Sequence, residues 1–217
     1  MNVVLTGATG MVGEGVLLEC LENPAVERVL SVSRRSCGLS HAKLRELLVR
    51  DFRELGAAES ELSGYDACFY CAGISSLGMT EAEYSLVTYE TPLAFATTLA
   101  RKNPGMTFVH VSGSRTDPTE QGKVMWARVK GRAENALMRL PFEGVYNFRP
   151  SLMKPTRGQK NVKGGYFLFS ILYPLLTLVF PGMLLRDVAR AMIHAVRYGA
   201  PKQVLEVADM RQLLAAR

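Results

Sequence analysis

Residues that commonly carry chemistry are scarce in this chain: its 217 positions hold three histidines, four cysteines and one tryptophan. Cys20, Cys37, Cys68 and Cys71 are too few for the disulfide framework of a small secreted protein, so reduced and mostly buried thiols are expected. Cys68-Phe-Tyr-Cys71 lacks the second Cys or His pair that a structural zinc site needs, and no metal is expected. The chain does not open with a basic stretch, an apolar core and a small-residue cleavage site. It opens on Asn2-Val3-Val4-Leu5, which reads as a strand, and a cytoplasmic location is the expectation. Internal repeats and low-complexity tracts are also missing, which excludes solenoids and disordered arrays.

Hydrophobic residues make up 48% of the chain and charged residues 21%, enough for one sizeable core and a single domain over residues 1–217. The net charge of +6 is modest and dispersed. It suits a small phosphorylated ligand and does not argue for nucleic acid. Short apolar runs recur at Val3 to Leu5, Val29 to Val32, Ala67 to Cys71, Thr107 to Val111, Gly144 to Phe148 and Val204 to Val207. Helical spacing lies between them; Val12, Val16 and Cys20, for example, fall on one stripe that ends at Asn23-Pro24. Short strands that are apolar on both faces, alternating with helices, predict a doubly wound α/β fold around a parallel sheet, the Rossmann architecture.

Thr6-Gly7-Ala8-Thr9-Gly10-Met11-Val12-Gly13 joins the first strand to the first helix. A turn, a close backbone approach to a pyrophosphate and tight helix-on-strand packing each require a residue without Cβ, and the helix N-terminus offers N–H groups to phosphate. The second strand ends at Ser33-Arg34-Arg35, about twenty residues past that loop, where an acid would bond the ribose 2'-hydroxyl of NAD. Two guanidiniums stand there instead. NADP is therefore expected over NAD, with Arg34 and Arg35 against the 2'-phosphate.

The Gly-x-x-Gly-x-x-Gly spacing, Cys71-Ala72-Gly73 and Val111-Ser112-Gly113-Ser114 together resemble the short-chain dehydrogenase/reductase superfamily. Within it, Trp126-Ala127-Arg128-Val129-Lys130-Gly131 is similar to a stretch of the atypical, epimerase-like branch that includes the Tat-interacting-protein-like oxidoreductases. The resemblance implies Asp51 after the third strand near the adenine, Cys71, Ala72 and Gly73 along the ribose, and Arg149-Pro150-Ser151 beside the nicotinamide half. It also implies a catalytic Ser, filled by Ser112 or Ser114, and a Tyr-x-x-x-Lys helix in which Lys130 takes the lysine position, where it would also bond the ribose hydroxyls of the cofactor. The tyrosine position is Trp126. An indole N–H donates but does not titrate near neutral pH, so the usual proton carrier is missing. Tyr84, Tyr89, Tyr146 and Tyr166 remain as substitutes that no spacing commits to the site, and His110 and His194 read as structural.

Tyr166 to Leu185 carries no charge over twenty residues, long enough for a helix to cross a bilayer. Pro174 and Pro181 argue against a span. Residues 156–185 are instead expected to form an apolar lid, pocket wall or subunit contact, with a homodimer and peripheral membrane contact as further readings. Two functions follow: an NADP-dependent oxidoreductase or epimerase-like enzyme acting on an apolar carbonyl or hydroxyl compound, or a weakly catalytic NADP(H)-sensing regulator or interaction protein.

Overall fold

The computed structural model describes residues 1–162, 173 and 181–216. Its strands are β1 (Asn2–Thr6), β2 (Arg28–Ser33), β3 (Leu44–Leu48), β4 (Ala67–Tyr70), β5 (Thr107–Val111), β6 (Gly144–Arg149), β7 (Leu152–Lys154), β8 (Gly182–Leu184) and β9 (Val204–Glu206). The helices are α1 (Met11–Glu22), α2 (Glu81–Ser85), α3 (Thr91–Lys102), α4 (Met125–Leu137), α5 (Leu185–Tyr198) and α6 (Val207–Ala215). Seven strands form a parallel sheet in the order β3-β2-β1-β4-β5-β6-β9, and β7 pairs with β8 outside it. The strand order reverses between β1 and β4, and in a doubly wound sheet the ligand crevice opens beyond the carboxyl ends at that point.

Alternation along the strands sorts side chains into two cores. Val3 and Leu5 face a layer that includes Val16, Leu17 and Cys20 of α1, Val188 and Met192 of α5 and Met210 of α6. Val4 of the same strand faces Phe95 and Leu99 of α3 and Leu137 of α4. Covering both faces is why these runs read as continuously apolar. β3 was invisible as an apolar run because it is an edge strand: Leu44-Arg45-Glu46-Leu47-Leu48 has mixed polarity, and only Leu47 is buried. The resemblance had implied a strand just before Asp51, and β3 ends three residues short of it.

Of the loop expected over Pro155 to Gly165, the described residues, up to 162, are fastened to α1. Gln159 Nε2 donates to the Met11 carbonyl at 2.6 Å, while the buried Glu14 carboxylate accepts the backbone N–H groups of Lys160 and Asn161, both at 2.7 Å. The apolar segment expected at 156–185 falls largely outside the described residues. Its C-terminal end is core: Leu185 is fully buried and packs over Gly15. Among the described residues, no helix is long and apolar enough to cross a membrane.

Candidate functional site

The three glycines of the first loop divide the work that the sequence had assigned to them. Gly7 sits at φ +78°, and a Cβ there would lie 2.7 Å from the Ala72 nitrogen and the Cys71 carbonyl carbon, so loop and β4 end touch backbone to backbone. A Cβ on Gly13 would lie 2.1 Å from the Gly7 oxygen, which fixes the start of α1 against the loop. Gly10 caps α1 in an extended conformation, and its missing Cβ meets only the Gly7 oxygen, at 3.5 Å. The open glycine is thus the one at the helix N-terminus, where a diphosphate would approach. Thr6, buried at the end of β1, accepts the N–H groups of Cys71 and Ala72, both at 3.2 Å, and holds the lips of the crevice together. Ala8 is fully buried in the core, so of this loop Gly7, Thr9 and Gly10 face the cavity. Met11, Val12 and Gly13 form the first turn of α1 behind them.

That cavity has a volume of about 400 Å³ and runs from Gly7, Thr9 and Gly10 past Cys71, Ala72 and Gly73 to Arg34 and Asp51. It matches the size range of small-molecule sites. The expected arginine pair is split: Arg34 lines the cavity, whereas Arg35 borders a separate hollow with Thr9, Ser36, Cys37 and Asn161. Adjacent residues leaving a strand point to opposite sides. Two cationic residues that the sequence reading passed over, Arg50 and Arg53, line the cavity instead. They flank Asp51, a charge cluster at a strand end that could have drawn attention. Asp51 accepts from Arg53 at 3.1 Å (Nε) and 2.6 Å (Nη2), and this guanidinium holds its carboxyl down at about 2. The Cys71 thiol lines the same cavity, but burial pushes it up to about 12, so it is packing and not a nucleophile.

One turn of π-helix, Leu86–Glu90, lies between α2 and α3 and places Leu86 and Val87 on the cavity wall. Single π-turns occur often at functional sites. Its apolar side chains give the cavity a hydrophobic wall.

Ser112, Ser114, Trp126 and Lys130 lie farther along the same edge, beyond that cavity. Ser112 follows β5 and is buried, with its hydroxyl 3.2 Å from Thr116 Oγ1; Ser114 is half-buried, and its N–H donates to the Pro150 carbonyl at 3.3 Å. Trp126 is half-buried in the first turn of α4, one turn before Lys130. The Lys130 stem lies over Gly113, where a Cβ would be 3.7 Å from Cε and 3.9 Å from Nζ. Gly131 then lets the Asp117 carbonyl pack against α4, since a Cβ there would come within 1.7 Å of that oxygen. The Lys-Gly pair of the motif therefore sets the lysine and locks its helix to the loop after β5. Burial lowers the Lys130 pKa.

Arg149 is a correction. Expected beside the nicotinamide half, it instead turns inward and makes a bidentate ion pair with Glu134 of α4, at 3.0 Å (Nε) and 2.5 Å (Nη2), with Glu206 at 3.4 Å. Glu134 is 1% exposed, and a carboxylate that deep needs a cation, which is why this arginine belongs to the scaffold. Pro150 is buried behind it and Ser151 half-buried. The candidate tyrosines are also committed elsewhere: Tyr84 is buried, Tyr89 lies under the Arg132 guanidinium at 4.4 Å, and the Tyr146 hydroxyl accepts the Ala200 N–H at 3.2 Å. Tyr166 lies outside the described residues. His110 is structural as expected, buried with Nδ1 3.0 Å from Asn147 Oδ1, and burial pushes it down to about 4.

The model of the NAD dependent epimerase/dehydratase family matches residues 3–123, the stretch that builds the glycine loop, the cavity and the end of β5. The chain belongs to this family. Among curated relatives, the mitochondrial protein fmp52 of Aspergillus fumigatus is 32% identical, and that of Emericella nidulans 31%; each match covers 72% of this chain and 68% of the relative. The expectation of a cytoplasmic location is overturned by these relatives, which are named as mitochondrial. An address is read from targeting segments by their receptors, and the packed core of this family carries no record of it. Among solved structures, the ADP-L-glycero-D-manno-heptose-6-epimerase of Helicobacter pylori superposes with a TM-score of 0.71 at 15% identity, covering 99% of this chain and 79% of that one. MoeE5 in complex with UDP-glucuronic acid and NAD gives 0.70 at 17% identity, covering 95% and 76%. At such identities the likeness is one of fold, and it confirms the Rossmann-like architecture of this epimerase-family member.

Proposed function

We propose that this epimerase-family protein binds NADP(H) and transfers hydride to or from an apolar carbonyl or hydroxyl compound. The observation that carries the reading is the charge around the adenosine end of the cavity. Arg34, Arg50 and Arg53 stand there against one carboxylate, Asp51, which is already paired with Arg53. Such an arrangement favours an extra phosphate on the ribose over a bare hydroxyl. The glycine loop and the α1 N-terminus would hold the diphosphate, Thr6 keeps Ala72 and Gly73 in place along the ribose, and Leu86 and Val87 would shield the base. Bound dinucleotide would supply the hydride; the chain supplies binding, orientation and a proton path. Calorimetry tests this, with NADPH expected to bind tighter than NADH by roughly 1 to 3 kcal/mol if one arginine contacts the phosphate. Arg34→Ala should remove most of that preference and Arg35→Ala little of it. Equal affinities for the two dinucleotides would replace NADP by NAD, the dinucleotide named with MoeE5.

A second reading, a dinucleotide-sensing regulator, is favoured by one feature: Trp126 stands where the superfamily resemblance puts the proton-carrying tyrosine. NADPH that binds but is never consumed across a panel of aldehydes, ketones and quinones would support it.

A further inference from the structure

We propose that Lys130 is itself the proton-transfer residue of this chain, acting directly on the substrate oxygen; this rests on the oxidoreductase reading above. The geometry sets Lys130 apart from a lysine that merely neutralises a neighbour. Its ammonium lies over Gly113, the residue between Ser112 and Ser114 just after β5, and makes no hydrogen bond or ion pair with any described residue. Glu134, one turn along α4, is the carboxylate that acts on it, but both Glu134 oxygens are taken by Arg149 of β6, which in turn reaches Glu206 at the end of β9. From β5 the titratable neighbour is His110, which burial keeps neutral above about pH 4. Lys130 is therefore a largely desolvated amine whose nearest counter-charge is already matched.

Desolvation without a partner makes an ammonium readier to release its proton. This is the property that a general acid near neutral pH requires. Trp126 occupies the place that the resemblance gives to the phenol, and with Glu134 bonded to Arg149 it leaves Lys130 as the group on that helix face with a proton to give. In the reducing direction, a carbonyl carbon takes hydride from a reduced nicotinamide dinucleotide. The carbonyl π pair moves to oxygen, an N–H bond of Lys130 breaks and an O–H bond forms. The free amine then recovers a proton from solvent. Oxidation runs the same steps backwards and begins from the free amine.

Protein labelled with ε-¹³C-lysine, free of dinucleotide, tests the first half, with the Lys130 resonance identified by its loss in Lys130→Arg. That resonance should titrate at lower pH than those of the other seven lysines. Carbonyl reduction should fall as pH rises through that midpoint, and alcohol oxidation should rise through it. Lys130→Arg keeps a cation that cannot give up its proton, so NADPH affinity should hold within about threefold while turnover drops 10² to 10⁴-fold. Titration of Lys130 together with the other lysines, or full turnover in Lys130→Arg, overturns the proposal. So does a wild type that binds NADPH yet reduces no member of a carbonyl panel. Absence of any dinucleotide binding by calorimetry would instead bring down the oxidoreductase reading on which the proposal stands.

Discussion

Replacing Arg149 by methionine separates two roles that its position in the sequence cannot distinguish. A residue bordering the nicotinamide would lose affinity for dinucleotide and leave the fold intact. The ion pair observed here predicts the reverse. Glu134 is 1% exposed and accepts from Arg149 through both oxygens, so Arg149→Met strands a buried carboxylate. Breaking a buried pair from one side costs roughly 3 to 5 kcal/mol. Lys130, which already interacts with Glu134 through space, can partly replace the lost charge, which places the expected loss near the lower end, about 3 kcal/mol. With a urea m-value of about 2 kcal/mol/M, the unfolding midpoint should fall by about 1.5 M. Glu134→Leu combined with Arg149→Met should recover most of that loss, because two apolar side chains of similar volume leave no charge uncompensated. Glu206→Ala should cost less than about 1 kcal/mol, since its side chain is 46% exposed and water screens the pair. Urea unfolding followed by circular dichroism, alongside NADPH calorimetry, decides the matter. A loss below 1 kcal/mol in Arg149→Met, or a loss of NADPH affinity at unchanged stability, would refute the scaffold assignment.

The buried His110 predicts acid sensitivity: its pKa falls from the ordinary 6.5 to about 4 on folding, so the unfolded chain binds the extra proton between those values. Stability should therefore be complete above pH 6.5 and fall by about 3 kcal/mol as pH drops to 4, a loss that His110→Gln should abolish in paired urea melts. Gly13→Ala, whose Cβ would meet the Gly7 oxygen, should destabilise the fold by more than about 2 kcal/mol; Gly10→Ala, with room on the protein side, should fold normally and bind NADPH at least tenfold more weakly, and the opposite ranking would mean that the loop is misread. Trp126 is the chain's one tryptophan, so NADPH should quench the protein's emission, and Trp126→Tyr should raise carbonyl reduction with nearly unchanged NADPH affinity. Calorimetric binding with flat emission and no gain in the tyrosine variant would remove Trp126 from the nicotinamide end.

The fold was legible because both faces of the central strands are covered. Val3, Val4 and Leu5 are all fully buried, so a bare run of apolar residues was enough to mark β1, and the helices between such runs implied a parallel sheet. β3 lacked that signature because one side of an edge strand meets solvent. The glycine loop was legible for a different reason: a missing Cβ records a close approach directly, and Gly7 and Gly13 each show a backbone contact that a Cβ would break.

Charged residues were harder to place, because a side chain's direction depends on tertiary packing that spacing does not encode. Arg34 and Arg35 are neighbours in sequence and part company in space. Arg50 and Arg53, sixteen and more residues later, join Arg34 because β2 and β3 pair in parallel, with Ser33 beside Leu48, and so end side by side. The resemblance placed Arg149 with Pro150 and Ser151, but its conformation is dictated by a carboxylate fifteen residues earlier on another element. Withdrawing Arg149 from the site also changes its chemistry. With both Glu134 oxygens bonded to Arg149, the carboxylate acts on Lys130 only through space, and Lys130 has no ion pair among the described residues. Burial lowers the Lys130 pKa and the through-space pull of Glu134 opposes it, so Arg149→Met should raise the Lys130 titration midpoint by freeing Glu134 to pair with it.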